Sequence, residues 1–264
     1  MKSILKDKKR AGIVWAVIIE AAFAGISLTV ANFLSGVSWF IFSSVLRIVF
    51  GIAILKLIGK VFGKPPKELF AFCNTRTAVI SGMGFLLYFV YYLIAYAAGF
   101  ERFTEISAGI VFGRIFLQQI ATGFYEEMHY RALILEGYNY GKKNVGRKII
   151  YALISFVLFG SIHVLTGWDT YTFLRTGAIG FAFAAIYLNS GNIIIPMILH
   201  FVYDIFPNLS GYIKWNDSEL FTELNDFFAA ALLVMFIVSF VLLFKKETEK
   251  QDINNLCTGV DLKL

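Results

Sequence analysis

An all-α, polytopic membrane protein is the fold class this chain predicts, and three observations predict it. Of its 264 residues 58% are hydrophobic, against roughly 45–50% in a soluble domain, and mean hydropathy is +0.70. Only 16% are charged. The apolar residues run in long blocks rather than along one amphipathic face, so most helices must turn their sides to lipid. A soluble enzyme, a disordered tail and a secreted module all fit this composition poorly.

A helix crosses a hydrocarbon core about 30 Å thick with about 20 apolar residues. Eight stretches come near that length: Gly12 to Leu34, Val37 to Ile58, Ala78 to Ala98, Ile106 to Leu135, Ile149 to Leu165, Tyr171 to Leu188, Ile193 to Ile205 and Phe227 to Phe244. The seventh is short, and its ends are the least determined, because an SGN turn precedes it and Pro196 and Pro207 disturb it.

The charge between the blocks orients them. Lys2, Lys6, Lys8, Lys9 and Arg10 precede the first block, and Lys60, Lys64, Lys67 and Arg76 follow the second. Lys142, Lys143, Arg147 and Lys148 follow the fourth, and Lys245, Lys246 and Lys250 follow the eighth. The other connections carry Glu101, Arg102 and Glu105, then Asp169, then Lys214 among Asp217, Glu219, Glu223 and Asp226. Basic loops stay cytoplasmic, so both termini are expected inside the cell membrane, with 246–264 as a cytoplasmic tail. The net charge of +6 is thus a topology signal, and no nucleic acid is expected as a partner. A cleaved signal peptide is the rival reading of the N-terminus, given Ala22-Phe23-Ala24, but the apolar run continues to Leu34. Without repeats or linkers the chain 1–264 reads as one domain. Cys73 and Cys257 show no metal-ligand spacing and read as free thiols.

Ionisable groups within the bilayer cost several kcal/mol at least by roughly additive insertion scales, so they carry a functional hypothesis by default. The fourth block holds Glu126, Glu127, His129 and Arg131 in YEEMHYR, the fifth holds His163 in FGSIH, and the seventh holds His200 and Asp204 in HFVYD. At about 1.5 Å per residue, Glu126 lies about 16 Å from Gly137, His163 about 22 Å from Lys148, and His200 and Asp204 about 12 and 18 Å from Asn192. One broad layer near mid-membrane therefore contains them all.

Helical geometry suggests roles. Glu127 and Arg131 are four apart and share a face, so Arg131 neutralises Glu127 and leaves Glu126 free on another azimuth. His200 and Asp204 are also four apart and point at one small volume. A carboxylate in low dielectric without a counter-ion is a competent proton acceptor. Together these parts predict a water held and deprotonated by Glu126 and His163, with His200 stabilising an oxyanion. An Asp donates a hydrogen bond only when protonated, so Asp204 is expected to orient His200.

The ordered motifs resemble the CPBP family of CAAX-type and bacteriocin-processing intramembrane endopeptidases, also called the Abi family. Glu126, Glu127 and Arg131 match EExxxR, Phe159 with His163 matches FxxxH, and His200 with Asp204 matches HxxxN/D, each on its own block and in the family's order. The matching core runs over about 106–206. The resemblance implies peptide-bond hydrolysis within the membrane by a water activated at Glu126 and His163, with His200 and Asp204 lining the oxyanion site. Its substrate would be a peptide or a membrane protein. The Asn of prenyl-protein-processing members is Asp204 here, which stays within the bacterial pattern. Bacteriocin processing and immunity are the settings the resemblance implies.

Blander readings stand beside these. Glu127 with Arg131 is also a structural ion pair supporting the site. His129 lies outside the motifs. Glu126-x-x-His129 has the spacing of half a di-iron site, but the second half and HExxH are absent, so no cofactor is predicted, with zinc on Glu126, His163 and His200 as the alternative. Glu20 would bond between helices, Arg47, Lys56, Arg114 and Arg175 would snorkel or line a cavity, and Gln118 and Gln119 would join helices. Trp168 and Trp215 suit an interface belt. A non-enzymatic membrane immunity or binding protein is the second functional reading, and a proton-coupled transporter the third.

Overall fold

The computed structural model describes residues 8–71, 75–138, 145–216 and 218–244. The 246–264 tail, both cysteines, Lys2, Lys6, Lys142, Lys143, Asp217, Lys245, Lys246 and Lys250 lie outside the described residues.

Among the described residues, eight helical rods occupy the eight apolar blocks. The first two are α1 (Lys8–Ala31) and α2 (Gly36–Phe62), followed by a one-turn helix α3 (Pro66–Leu69). The third rod joins α4 (Thr75–Ser81) to α5 (Phe85–Gly99) through a 3₁₀ turn at Gly82–Gly84. The fourth runs through α6 (Ala108–Ile110), a π segment Val111–Leu117, α7 (Gln118–Glu127), a second π segment Met128–Leu133 and α8 (Ile134–Tyr138). Then come α9 (Val145–His163), α10 (Thr170–Ser190), α11 (Ile194–Ser210) and α12 (Ser218–Leu243). Strands β1 (Phe100–Phe103) and β2 (Ile213–Trp215) pair antiparallel as a short ribbon.

Five stretches among the described residues are long and apolar enough to cross a membrane: Ala11–Ala31, Gly36–Phe62, Ala78–Gly99, Val145–His163 and Thr170–Ser190. Ile194–Ser210 and Phe228–Leu243 are shorter apolar helices. The fourth rod is long enough, but its ionisable residues lower its hydropathy. Leu28, Val45, Val49 and Leu93 project outward as an apolar surface, as lipid contact demands. The chain is a membrane protein.

The rods are not equivalent. Only 11% of the Ala11–Ala31 window is buried, against 67% of Thr170–Ser190. The last turns of α10, from Ile179 to Leu188, are buried without interruption, so this helix is the central post. Asp169 caps its N-terminus by accepting from the Thr172 amide at 2.8 Å, and Gly191 closes its C-terminus at φ +67°, where a side chain would be strained.

Both prolines of α11 have local explanations. Pro196 sits in the first turn, where backbone N–H groups have no intrahelical acceptor, and Asn192 Oδ1 takes the neighbouring Ile194 and Ile195 amides at 3.0 and 3.3 Å. Pro207 lies inside the helix and removes the amide that would bond the carbonyl of Tyr203. The Tyr88 hydroxyl donates to that carbonyl at 3.0 Å instead, and Tyr96 donates to the Phe206 carbonyl at 2.8 Å. A block of stacked tyrosines on α5 thereby holds α11 in place beside the fourth rod.

Candidate active site

Two close approaches position the fourth rod. A Cβ added at Gly123 would lie 3.0 Å from the Met197 carbonyl, so the absence of a side chain lets α7 meet α11 within a turn of Glu126. At the far end Gly12 faces Gly137, where a Cβ on Gly12 would lie 2.5 Å from the Leu133 carbonyl. The π segments flank α7 on both sides. Such wide turns are uncommon in helices and concentrate at functional sites.

On this frame His200 is the hub. Its Nδ1 donates to Glu127 Oε1 at 2.7 Å, since a carboxylate oxygen accepts. Its Nε2 lies 3.6 Å from Glu126 Oε2 and 3.5 Å from Asp204 Oδ2. The ring stacks on Phe183 at 5.2 Å and meets the edge of Phe159 at 5.8 Å, which fixes its plane. Three carboxyl groups thus converge on one buried imidazole.

Glu127 also pairs with Arg131, whose Nη1 approaches Glu127 Oε1 to 3.0 Å. Both side chains are wholly buried. The guanidinium rests over the Phe159 and Phe183 rings at 4.5 and 5.2 Å, and these π faces receive charge that aligned hydrogen bonds do not. Glu127 is therefore committed to Arg131 and His200. The second oxygen of Glu127, Oε2, is buried without a hydrogen-bond partner, and Glu126 differs from it in exposure and in having no bonded oxygen at all among the described residues. The Oε2 of Glu126 is buried without a hydrogen-bond partner among the described residues, and the side chain retains 15% exposure.

His163 is the last helical residue of α9 and is exposed, because the chain turns at 164–167 to enter α10. Its Nδ1 donates to the Phe159 carbonyl at 2.7 Å, which leaves Nε2 as the free nitrogen. No ion pair or hydrogen bond joins His163 to Glu126 among the described residues. The link runs through Phe159, whose ring touches both His163, at 4.6 Å, and His200. The site residues read from the sequence thus fall into a tight set, Glu126, Glu127, Arg131, His200 and Asp204, and a peripheral one, His163.

His129 belongs elsewhere. It points at α1, with Nε2 donating to the Ala16 carbonyl at 2.9 Å and Nδ1 3.1 Å from Glu20 Oε2. The same Glu20 oxygen accepts from Tyr125 at 3.1 Å and Tyr130 at 2.6 Å. Gln118 reaches Ser43 on α2, as expected of a residue joining helices. Among the described residues no group of three or more His, Cys, Asp or Glu is placed to hold a metal ion, and Glu126, His163 and His200 do not converge as zinc ligands.

A polar cavity of about 430 Å³ adjoins the cluster. Thr122, one turn before Glu126, and Asn208, one turn after Asp204, line it with Arg47, Arg114, Gln118 and Gln119. Sequence reasoning placed Arg47 and Arg114 on a cavity or a snorkelling path without distinguishing the two. The missing signal was which helices pack together.

The fold defines a multi-pass membrane protein with a buried carboxylate and imidazole cluster one helical turn from a polar cavity. Residues 108–206, from the start of α6 into α11, match the family model described as Type II CAAX prenyl endopeptidase Rce1-like, within the CAAX-type family that the motifs resemble. That match supports a CAAX-type intramembrane endopeptidase, a protease. No curated protein and no solved structure matches the chain.

Proposed function

We propose that the protein hydrolyses peptide bonds within the membrane by a water that Glu126 deprotonates. The observation that carries this reading is the contrast within one dipeptide: Glu127 is wholly buried, with Oε1 held by Arg131 and His200, whereas Glu126 makes no side-chain hydrogen bond among the described residues and keeps 15% exposure. A general base must be able to reach a water, and Glu126 meets that requirement.

His200 supplies the complementary function. Glu127 takes the proton on its Nδ1, which fixes the ring and directs Nε2 to the volume between Glu126 and Asp204. A protonated Nε2 in that place donates a hydrogen bond to the oxygen of a tetrahedral intermediate, and Glu126 passes the proton it took from water to the leaving amine. Asp204 holds Nε2 in line from the following turn. His163, with Nδ1 tied to the Phe159 carbonyl, offers a free Nε2 to the same water when that water lies toward the end of α9. Glu127 and Arg131 are positioning residues.

A peptide or juxtamembrane segment is the substrate class of this reading, and bacteriocin processing is one setting. Lys64, after the second rod, pairs with Glu136 near the end of the fourth at 2.7 Å, and on the charge pattern of the sequence we assign this end of the bundle, with both termini, to the cytoplasm. The experiment compares membrane peptides from cells carrying wild-type protein or Glu126→Gln. The expected result is loss of specific fragments with unchanged accumulation of the protein. Fragments that persist unchanged exclude Glu126 as the base. A phenotype that survives both Glu126→Gln and His163→Ala instead favours a binding protein. A reporter after Leu264 tests orientation, and an external signal overturns it.

A further inference from the structure

We infer that the polar cavity beside Glu126 is a carboxylate-binding subsite, in which Arg47 and Arg114 hold an anionic group of the substrate peptide a few residues from the bond to be cut. The inference rests on the hydrolase reading and names the chemistry of the substrate for it.

Two cations line this cavity, and neither has an acidic partner within 4.0 Å among the described residues. Inside a membrane protein such a pair is costly unless something answers its charge. Arg47 spends Nη1 on Ser43 and stands over the Phe23 ring at 5.4 Å, but its Nε is buried with no partner. Arg114 donates Nε to Asn208 Oδ1 at 3.3 Å and Nη1 to the Tyr212 hydroxyl at 3.0 Å, which leaves its other Nη free. Aromatic faces and neutral oxygens anchor both guanidinium groups; Asp204 faces Arg47 electrostatically from beyond ion-pair distance, and Arg114 has no carboxylate partner among the described residues. Two anchored forks with donors to spare are suited to a planar carboxylate.

Placement links the cavity to the chemistry. Gln118 and Thr122 lie two turns and one turn before Glu126, about 12 and 6 Å along the helix at about 1.5 Å per residue. An extended peptide advances about 3.3 Å per residue, so an anion among these groups is a few residues from a carbonyl at Glu126. The volume of about 430 Å³ falls in the roughly 300–1,000 Å³ range of ligand sites. Tyr212, next to β2, accepts from Arg114, so the subsite lies toward the ribbon and away from the Lys64–Glu136 end of the rod.

The anion has two sources, a free C-terminal carboxylate or an Asp or Glu side chain, and the test separates them. Three dye-labelled apolar peptides of one sequence are titrated against the full-length protein in zwitterionic nanodiscs: a C-terminal acid, its amide, and an amide carrying one internal Glu. Preference for the acid alone assigns the terminus, and preference for both acids assigns any carboxylate. The expected preference over the plain amide is at least tenfold. It is retained in Glu126→Gln, lost in Arg47→Gln and in Arg114→Gln, and largely restored in Arg114→Lys, which keeps the charge. Equal binding of all three peptides, or no binding of any, overturns the subsite. Phosphatidylglycerol that copurifies and abolishes the preference marks a lipid headgroup site and overturns it as well. The same peptides report cleavage by wild-type protein. Carboxylate preference without cleavage refutes the hydrolase reading alone, and cleavage without preference refutes the subsite alone.

Discussion

The fourth rod carries two carboxylate and imidazole clusters on opposite sides, and they are built differently. Toward α1, one Glu20 oxygen gathers Tyr125, Tyr130 and His129 at 2.6 to 3.1 Å, and the His129 ring closes on the Ala16 carbonyl. Phe23 stacks on Tyr125 at 4.6 Å, and Glu20 and Tyr130 line a mostly apolar cavity of about 260 Å³. Toward α11, Glu126 and Asp204 stand 3.6 and 3.5 Å from His200, longer than a formed hydrogen bond, and one Glu126 oxygen has no partner. The Glu20 oxygen is filled by two tyrosine hydroxyls, although His129 Nδ1 has no aligned hydrogen bond, whereas Glu126 accepts none and so has capacity left for a reactant. Residue type alone does not distinguish lock from site; the remaining bonding capacity does.

The largest expected effect tests the open cluster. Glu126→Gln removes the base at nearly constant shape, so cleavage should fall about 10²- to 10⁴-fold, as general base catalysis is worth that much. Initial rates on purified protein check it, and an unchanged rate erases the contrast. Next comes Arg131→Met, which strands Glu127 in a buried position and should cost about 3–5 kcal/mol of stability. Thermal unfolding in detergent reads it, and adding Glu127→Gln should recover part of the loss. An effect confined to activity would instead make Arg131 part of the chemistry.

Glu20→Gln probes the closed cluster. The amide oxygen still accepts from a tyrosine, so the loss is that of charge-assisted bonds, about 1–2 kcal/mol. Cleavage by the folded variant should persist. Abolished cleavage at normal accumulation would show that both clusters serve the reaction. The smallest effect lies outside the bundle core. Hydrogen bonds from Thr172 hold the exposed Asp169 carboxyl below the usual carboxylate range. A carboxyl lowered by folding contributes fully above its unfolded value and loses that contribution as pH falls through its folded one. Amide exchange at the first turn of α10, corrected for intrinsic rate, should therefore quicken below about pH 4. Equal protection at pH 3 and pH 6 would remove the cap from the account.

The apolar blocks made the rods legible, and the four-residue spacings made two pairs legible: Glu127 with Arg131 and His200 with Asp204. Each pair lies within a single rod, where periodicity decides contact. The rest depends on contacts between rods. The sequence assigned Arg131 to Glu127 but did not reveal His200 as its second partner, because α7 and α11 meet through Gly123, a position without a signature of its own. His129 and Glu20 were visible as residues but not as partners, for the same reason. His163 was placed by depth along a block reaching Leu165, whereas α9 ends at His163 itself. The π segments carry no compositional mark, although they set which faces of the fourth rod turn to α1 and α11.

The Tyr88 hydroxyl that replaces the amide missing at Pro207 makes these two positions conditional on each other. Tyr88→Phe alone leaves the Tyr203 carbonyl without its donor, at a cost of about 1–3 kcal/mol. With Pro207→Ala already in place the helix bonds its own carbonyl, and the same tyrosine becomes dispensable. A double-mutant cycle on this pair would measure how far a helix beside the catalytic layer borrows its continuity from another segment of the chain.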